Sequence, residues 1–260
     1  MSGYYLGLDI GSISSKAVIL NDRDIAAAAI MPSGVNHTVT ASSIRAAVLE
    51  KAGLQPQDIK ASSSTGLANR NSGTDAFSGV MVCNARGSHF IFPSARTVID
   101  IGGQGSQLII VDQAGQVTNF NVSGMCATGS ARLLQVVARI MQISLDDIGL
   151  LSKTATRPSS FSTSCSVFLE TEVITRISQG DSPQDILAGI HETIAEKIGS
   201  MVASVTIQDD VVVIGGGALD AGLVADIGQK LGTKVLVPEN PRLIAALGAA
   251  VISREKNSAN

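Results

Sequence analysis

The sequence at residues 97–126 is TVIDIGGQGSQLIIVDQAGQVTNFNVSGMC. It predicts an apolar strand around Asp100, the glycine pair Gly102 and Gly103, a second strand at 108–111, and a turn leading into a third strand. A carboxylate at the end of a buried strand, followed by glycines, lets backbone N–H groups close on a phosphate while the acid positions a metal or a water. The stretch therefore predicts a phosphate-binding turn.

The same pattern occurs earlier in the chain. Residues 8–20, LDIGSISSKAVIL, overlay residues 99–111, IDIGGQGSQLIIV, and this places Asp9 on Asp100. Two unrelated hairpins with glycine turns are the alternative, but internal repetition in register is informative about architecture. We therefore expect a duplicated strand–turn–strand unit, one copy in each of two lobes, with a phosphate chain held between the copies.

Composition limits the classes of function. The chain has 260 residues, of which 45% are hydrophobic and 16% are charged, and this is typical of a globular protein. Its formal net charge of -3 argues against a nucleic-acid-binding surface. No apolar run reaches the roughly 18 residues of a membrane span, and the N-terminus lacks the basic segment of a signal peptide. We expect a cytoplasmic protein whose cysteines are reduced.

The remaining sequence predicts a mixture of strands and helices. Outside the quoted stretch, we expect strands at residues 4–10, 16–20, 25–30, 59–64, 80–83, 211–214 and 234–237. We expect helices at residues 40–52, 131–143, 167–178, 183–205, 219–231 and 242–253. We place the first lobe at residues 1–94 and the second at 95–240, and we expect the C-terminal helix in 241–260 to pack back on the first lobe.

A third glycine turn follows the predicted strand 211–214, where Gly215, Gly216 and Gly217 open a helix. Such a turn permits close approach of a flat or anionic ligand. Glycine at a strand-to-helix turn also has purely local backbone explanations. Because two phosphate turns precede it, we interpret this turn as bordering an adenosine.

The three cysteines differ in their predicted positions. Cys126 lies just before a predicted helix, where unpaired N–H groups and the helix dipole stabilise a thiolate or an anionic cluster. Cys165 precedes the next predicted helix, whereas Cys83 is interpreted as a small buried core residue. Packing cysteines remain the alternative for the first two. The histidines, including His191, are interpreted as surface or core residues and not as metal ligands.

The three glycine turns together resemble those of the actin, heat-shock ATPase and sugar kinase superfamily. The resemblance implies an α/β, actin-like (ribonuclease H-like) ATPase fold with two duplicated lobes, each a mixed β-sheet flanked by helices. Within this superfamily, CATGSARLL from Cys126 and CSVFLETEV from Cys165 resemble the two cysteine motifs of the ATP-dependent activators of 2-hydroxyacyl-CoA dehydratases. The ATPase subunits of benzoyl-CoA reductase share them. The resemblance extends from LGLDIGS near the N-terminus to LIAALGAAVI near the C-terminus.

This family resemblance implies an activator that couples ATP hydrolysis to low-potential electron transfer from a [4Fe-4S] cluster to an acyl-CoA dehydratase or reductase component. The implied cofactors are ATP, Mg²⁺ and one cluster per homodimer, with Cys126 and Cys165 of each chain as ligands. One chain has three cysteines, whereas a cluster takes about four thiolates, so two from each chain fit a two-fold dimer. A heterodimer with a paralogue is the alternative. The implied reductant is a ferredoxin or a flavodoxin.

The resemblance also assigns roles to the turn residues. Asp9, Asp100 and Gln104 are the expected catalytic residues, which hold Mg²⁺ or orient the attacking water. The expected nucleotide-contacting residues are Gly11, Ser12, Ser14, Lys16, Gly102, Gly103, Gly215, Gly216 and Gly217.

The sequence departs from the family pattern at several positions. The glycine–glycine–glutamine turn usually continues with Asp and then a Lys two residues later, and here Gly105 and Gln107 stand in those places. Residues 123–125 are Ser-Gly-Met instead of Asn-Asp-Lys, and 65–70 are Thr-Gly-Leu-Ala-Asn-Arg instead of Thr-Gly-Tyr-Gly-Arg. These differences leave two alternatives open: a small-molecule kinase with Asp100 as base, and a regulatory protein that senses ATP without turnover.

Overall fold

The computed structural model of the chain describes residues 3–67, 72–123, 129–162 and 165–258. These residues form two compact units. Unit 1 takes its residues from 1–95, 111–118 and 242–260, and unit 2 takes its residues from 96–110 and 119–241.

The strands and helices follow one another in mixed order along the chain. The strands are β1 (Tyr4–Ile10), β2 (Ser14–Leu20), β3 (Ile25–Pro32), β4 (Ile59–Gly66), β5 (Ala76–Phe77), β6 (Thr97–Ile101), β7 (Ser106–Val111), β8 (Val117–Val122), β9 (Val211–Ile214) and β10 (Val235–Leu236). The helices are α1 (His37–Ala52), α2 (Val80–Ile91), α3 (Ala131–Met141), α4 (Leu145–Ser152), α5 (Ser166–Ser178), α6 (Pro183–Val202), α7 (Ala221–Leu231) and α8 (Ile244–Ser258). None of the helices in the described part of the chain has the length and apolar character of a membrane span.

The first sheet has the strand order β3-β2-β1-β4-β5. Its central strand β1 runs antiparallel to β2 and parallel to β4. The β1 side chains Leu6, Leu8 and Ile10 are fully buried, because helices and neighbouring strands cover this strand. The sheet register pairs Asp9, near the end of β1, with Lys16 on β2 and with Thr65 on β4.

The second sheet has the order β10-β9-β6-β7-β8, which is the order of the first sheet read from the other edge. Its central strand β6 runs antiparallel to β7 and parallel to β9. Asp100, near the end of β6, pairs with Gln107 on β7 and with Ile214 on β9. The two acids therefore hold the same place in two sheets of the same topology, and the predicted fold class is confirmed.

Helix α8 lies unusually close to α2 and β1 because glycines stand at the contacts. A Cβ atom on Gly248 of α8 would overlap the backbone carbonyl of Cys83 on α2. A Cβ atom on Gly7 of β1 would overlap the backbone of α8 at Ala246 and Ala250. Unit 1 therefore depends on backbone-to-backbone packing that larger residues exclude.

The Gly248→Ala variant is expected to lower the free energy of unfolding by about 2 kcal/mol, because the added methyl group meets rigid backbone in a packed interior. The matched control is Gly199→Ala in the interior of α6, where a Cβ would meet the flexible side chain of Lys230 at 3.2 Å. There the higher helix propensity of alanine is expected to leave stability unchanged or raised by up to ~1 kcal/mol. Urea denaturation measures both, and equal stability of the two variants would contradict the proposed role of the Gly248 contact.

The structure corrects one predicted element and adds others, among them the two-residue strand β5. The strand predicted at residues 80–83 is wrong, because these residues form the first turn of α2, which begins after Gly79. A short apolar run does not distinguish a strand from a buried helix segment. Helix α4 was not predicted, although Ser144 caps its N-terminus and accepts a hydrogen bond from the Asp146 N–H.

Candidate functional site

The turn between β1 and β2 holds an acid and a lysine together. Asp9 is only 7% exposed, and Lys16 Nζ lies 3.2 Å from Asp9 Oδ2 and 3.1 Å from the Ser14 carbonyl oxygen. At the start of the turn, the Gly11 carbonyl oxygen accepts a hydrogen bond from the Ser33 hydroxyl at 2.6 Å. The turn therefore fixes a carboxylate and a cation side by side.

Burial raises the pKa of Asp9 above its ordinary value, and the neighbouring Lys16 opposes this by its charge and its hydrogen bond. The net effect is a carboxyl group that is poorly solvated and that has Lys16 as its close cation among the described residues. Such a group gains free energy from any additional cation that approaches it.

A glycine closes against the acid in both units. Gly66, the last residue of β4, has φ +75°, and a Cβ atom there would lie 2.7 Å from Asp9 Oδ1. Gly215, directly after β9, has φ +87°, and a Cβ atom there would overlap Asp100 Oδ1. Because both glycines have positive φ and lie directly against the carboxylate, neither position accommodates a side chain.

The turn between β6 and β7 is tied to helix α3. The Gly102 N–H donates to the Gly105 carbonyl at 3.0 Å, and the Gly102 carbonyl accepts from the Ala131 N–H at 2.9 Å. Gln104 is exposed at the tip, and Gly103 is half-buried. The second acidic turn is thus held in place by the first residue of a helix.

In unit 2, a glutamine stands at the position that Lys16 occupies in unit 1. Gln107 stands opposite Asp100 in the sheet register, as Lys16 stands opposite Asp9. Its Oε1 atom is buried and has no hydrogen-bond partner among the described residues. The substitution noted in the sequence therefore replaces a charged neighbour of the acid by a neutral amide.

The third glycine turn is held at both ends. The Gly215 N–H donates to the Pro241 carbonyl at 3.0 Å, and the Asp220 N–H donates to the Gly217 carbonyl at 3.2 Å. Gly217 is buried against the side chain of Ile101, which a Cβ atom would overlap. By contrast, a Cβ atom on Gly216 would meet only Ala131 Cβ among the described residues, at 3.4 Å. Within the described part of the chain, the turn is therefore tightly packed at Gly217 and loosely packed at Gly216.

Cys165 is exposed and is the N-cap residue of α5. The same helix buries Leu169 and Val173 in the core of unit 2 and leaves an apolar face outside. The exposed fractions on that face are 70% at Val167, 65% at Phe168, 56% at Ile174 and 43% at Ile177. A thiol at a helix N-terminus beside apolar surface is suited to a thiolate ligand at an interface.

Comparison with known proteins decides the family. The family model described as "BadF/BadG/BcrA/BcrD ATPase family" matches residues 6–253. The chain belongs to this ATPase family. The predicted family is thereby confirmed, and the chain is an ATPase.

Two relatives place this ATPase more closely, and a third protein shares its fold. The "(R)-2-hydroxyglutaryl-CoA dehydratase activating ATPase" of Acidaminococcus fermentans is 36% identical over 260 residues, 98% of this chain and 99% of that protein. The solved structure of the "Activator of the 2-Hydroxyisocaproyl-CoA Dehydratase from Clostridium difficile with bound ADPNP" has a TM-score of 0.93 at 37% identity, covering 98% of this chain and 96% of that one. The ROK hexokinase of Thermus thermophilus, with a TM-score of 0.54 at 14% identity over 100% of both chains, shows the shared fold alone.

Of the predicted site residues of this ATPase, Cys165 lies at the start of α5, and the others that the structure describes lie in or beside the glycine turns described above. Cys126 lies outside the described residues. Ser12 is exposed and Ser14 half-buried in the first turn. The roles assigned to these residues stay predictions. Gly66 was missed as a site residue, although it follows a strand at the same relative place in its copy as Gly215 does in the other.

Cys83 takes no part in an exposed site. It is fully buried, with Sγ 3.9 Å from the Ser78 carbonyl oxygen. Burial raises the pKa of its thiol to about 12, against a smaller opposing effect of the Thr65 hydroxyl. The interpretation of Cys83 as a core residue is confirmed. Among the described residues, no three His, Cys, Asp or Glu side chains are grouped so that they could hold a metal ion.

Proposed function

We propose that this ATPase couples ATP hydrolysis to low-potential electron transfer from a [4Fe-4S] cluster to a 2-hydroxyacyl-CoA dehydratase or a related acyl-CoA reductase. The observation that carries the proposal is the position of Cys165, an exposed thiol at the N-terminus of α5 beside an apolar face. Relatives at 36% and 37% identity that are named as dehydratase activators support the choice of partner.

In this proposal the two acidic turns act on the phosphates of ATP. Asp9 and Asp100 hold Mg²⁺ or orient the attacking water, and Gln104 assists in orienting it. The glycines of both turns, with Ser12, Ser14 and Lys16, contact the phosphates, and Gly215–Gly217 border the adenosine. Mg²⁺, when bound, neutralises charge on the phosphates. Phosphoryl transfer needs positioning and charge neutralisation more than covalent chemistry, so these groups suffice.

Two features of the described residues support the proposed nucleotide site. The poorly solvated Asp9 carboxylate gains from a further cation, and oxygen ligands are those that Mg²⁺ prefers. Bare backbone at Gly66 and Gly215 lies directly against each acid, where a side chain would displace the carboxylate. A bound adenosine triphosphate analogue in the 37%-identical activator structure agrees with this proposal.

The cluster would be held by Cys126 and Cys165 from each of two chains. Thiolates are the usual ligands of such a cluster, and the deeply buried Cys83 is unsuited to supply one. The second copy would cover the apolar face of α5, which would otherwise remain in water. A homodimer is therefore proposed, with a ferredoxin or flavodoxin as reductant.

The test uses the full chain purified without oxygen and reduced by dithionite. We expect it to contain about four iron atoms and four sulfides per dimer, and to transfer electrons to a 2-hydroxyacyl-CoA dehydratase component only when MgATP is supplied. Dehydratase activity and ATP hydrolysis are measured together. Iron-free protein that hydrolyses ATP without activating the dehydratase, or that phosphorylates a small molecule, would overturn the proposal.

A further inference from the structure

His191 on α6 is a fully buried histidine with a carboxylate at each ring nitrogen. Its side chain has 0% exposure. Nε2 lies 3.0 Å from Asp220 Oδ2, and Nδ1 lies 3.3 Å from Asp226 Oδ2. Both carboxylates belong to the segment that forms α7 and its cap. Nε2 is hydrogen-bonded to Asp220, whereas Nδ1 faces Asp226 at ion-pair distance and has no hydrogen-bond partner among the described residues.

Asp220 connects this histidine to the third glycine turn. Its Oδ1 atom accepts hydrogen bonds from the Gly222 and Leu223 N–H groups, at 2.9 Å and 3.0 Å, and so caps α7. Its own N–H donates to the Gly217 carbonyl. Helix α4 packs directly against the Asp220 carboxylate, since a Cβ atom on Gly149 would overlap Asp220 Oδ1. The carboxylate is thus fixed from several sides, and His191 supplies its charged partner.

We infer that His191, clamped between Asp220 and Asp226, is a positioning residue that holds the glycine turn 215–217 in its nucleotide-binding conformation. The inference rests on the proposed role of that turn in binding adenosine. If the imidazolium is lost, Asp220 remains a buried carboxylate without its cation, and rearrangement of the cap displaces the Gly217 carbonyl to which it is bonded. The Asp220–Gly217 hydrogen bond transmits the change to the turn.

The charges around His191 define the pH dependence. Helices α4, α5 and α7 pack against α6, and the acidic groups from them that act on the imidazole are Asp220 and Asp226. Burial alone lowers the pKa of His191, but the two neighbouring carboxylates outweigh this and raise it to about 9. In the folded chain the imidazole therefore keeps its charge at neutral pH, and the clamp is lost as the pH rises through 9. Because this pKa lies above that of an unfolded histidine, the stability that the clamp contributes is fully present below about pH 6.5 and is lost over the same rise.

The experiment compares the Kd of ATP at pH values from 7 to 10 in three forms of the full chain: the wild type, Asp226→Asn and His191→Gln. The wild type is expected to bind more weakly as the pH approaches 10. Asp226→Asn changes a partly exposed side chain and removes one charge that raises the pKa of His191, so its loss of affinity should begin at lower pH. His191→Gln should bind ATP about 10-fold more weakly at pH 7, as expected when a charged hydrogen bond is lost.

A matched control is His37→Gln at the start of α1, which should follow the wild-type profile. Thermal unfolding at each pH establishes that the variants are folded, and if His191→Gln does not fold, the comparison of Asp226→Asn with the wild type decides. Superimposable profiles for these two would overturn the inference and leave the proposed function intact. A wild-type chain that binds no ATP at any pH would overturn the proposed nucleotide site and the inference with it.

Discussion

The Cys165→Ser variant is expected to contain no [4Fe-4S] cluster, whereas the wild type purified in the same way contains about four iron atoms per dimer. The reason is chemical, because a serine hydroxyl is not deprotonated near neutral pH and cannot replace a thiolate ligand. The loss of the cluster should be complete and not partial, because in a two-fold dimer one substitution removes a cluster ligand from each chain. Iron and acid-labile sulfide analysis, together with the visible absorption of the cluster, measures it.

The position of Cys165 makes this substitution unusually easy to interpret. Cys165 is the N-cap of α5, with extended backbone at φ -86° and ψ 118°. Serine is among the preferred residues at this position, because its hydroxyl accepts a hydrogen bond from the first turn of the helix. The variant should therefore fold and hydrolyse ATP, and loss of iron is not attributable to a damaged helix.

The control for the cysteine experiment is Cys83→Ala. Cys83 is buried in unit 1, where alanine leaves a small cavity without exposing the core. We expect this variant to keep its full iron content and its dehydratase-activating capacity. If Cys165→Ser retains iron while Cys83→Ala loses it, the assignment of the cluster ligands is wrong, and the apolar face of α5 needs another explanation.

The features that the sequence predicted well are local or repeated. The strand ends at Asp9 and Asp100 and the start of α5 after Cys165 follow from apolar periodicity interrupted by glycines or polar loops. The duplication follows from two segments in register, and the two sheets confirm it by their identical order. No knowledge of distant contacts was needed for any of these.

The features that the sequence did not predict depend on long-range pairing. Gly66 meets Asp9 because β4 pairs in parallel with β1, and the intervening segment of more than 50 residues gives no sign of that register. His191 was interpreted only as a surface or core residue, because its contacts with the two carboxylates need α7 folded against α6. The prediction at residues 80–83 was wrong for another reason, because the same apolar run is compatible with a strand and with the start of α2.

The Asp9→Asn variant is expected to hydrolyse ATP about 100-fold more slowly, because loss of a charge that holds the metal removes about 3 kcal/mol of transition-state stabilisation. The change preserves the shape of the side chain and removes only its charge. Asp24→Asn is the matched control, since Asp24 is an exposed carboxylate at the next turn of the same sheet. It should hydrolyse ATP at the wild-type rate.

The environment of Asp9 indicates that the loss will be one of catalysis and not of folding. Burial raises the pKa of this carboxyl, so the folded chain already disfavours its charge and tolerates a neutral amide. Lys16 keeps its contact with the Ser14 carbonyl in the variant. Thermal unfolding should show a small change, whereas the hydrolysis rate, followed by phosphate release, should fall steeply. If Asp9→Asn kept more than a tenth of the wild-type rate of ATP hydrolysis, Asp9 would not be a catalytic residue.

The Lys16→Met variant tests the same carboxylate through its pH dependence. Lys16 lowers the pKa of Asp9 by its charge and its hydrogen bond, so removing the lysine leaves burial unopposed and raises that pKa further. Hydrolysis requires the charged carboxylate, and its rate therefore falls as the pH drops through the pKa of Asp9. The acid limb of the pH–rate profile should accordingly move to higher pH in Lys16→Met. A rate lowered equally at every pH would instead show that Lys16 acts on the nucleotide without tuning Asp9.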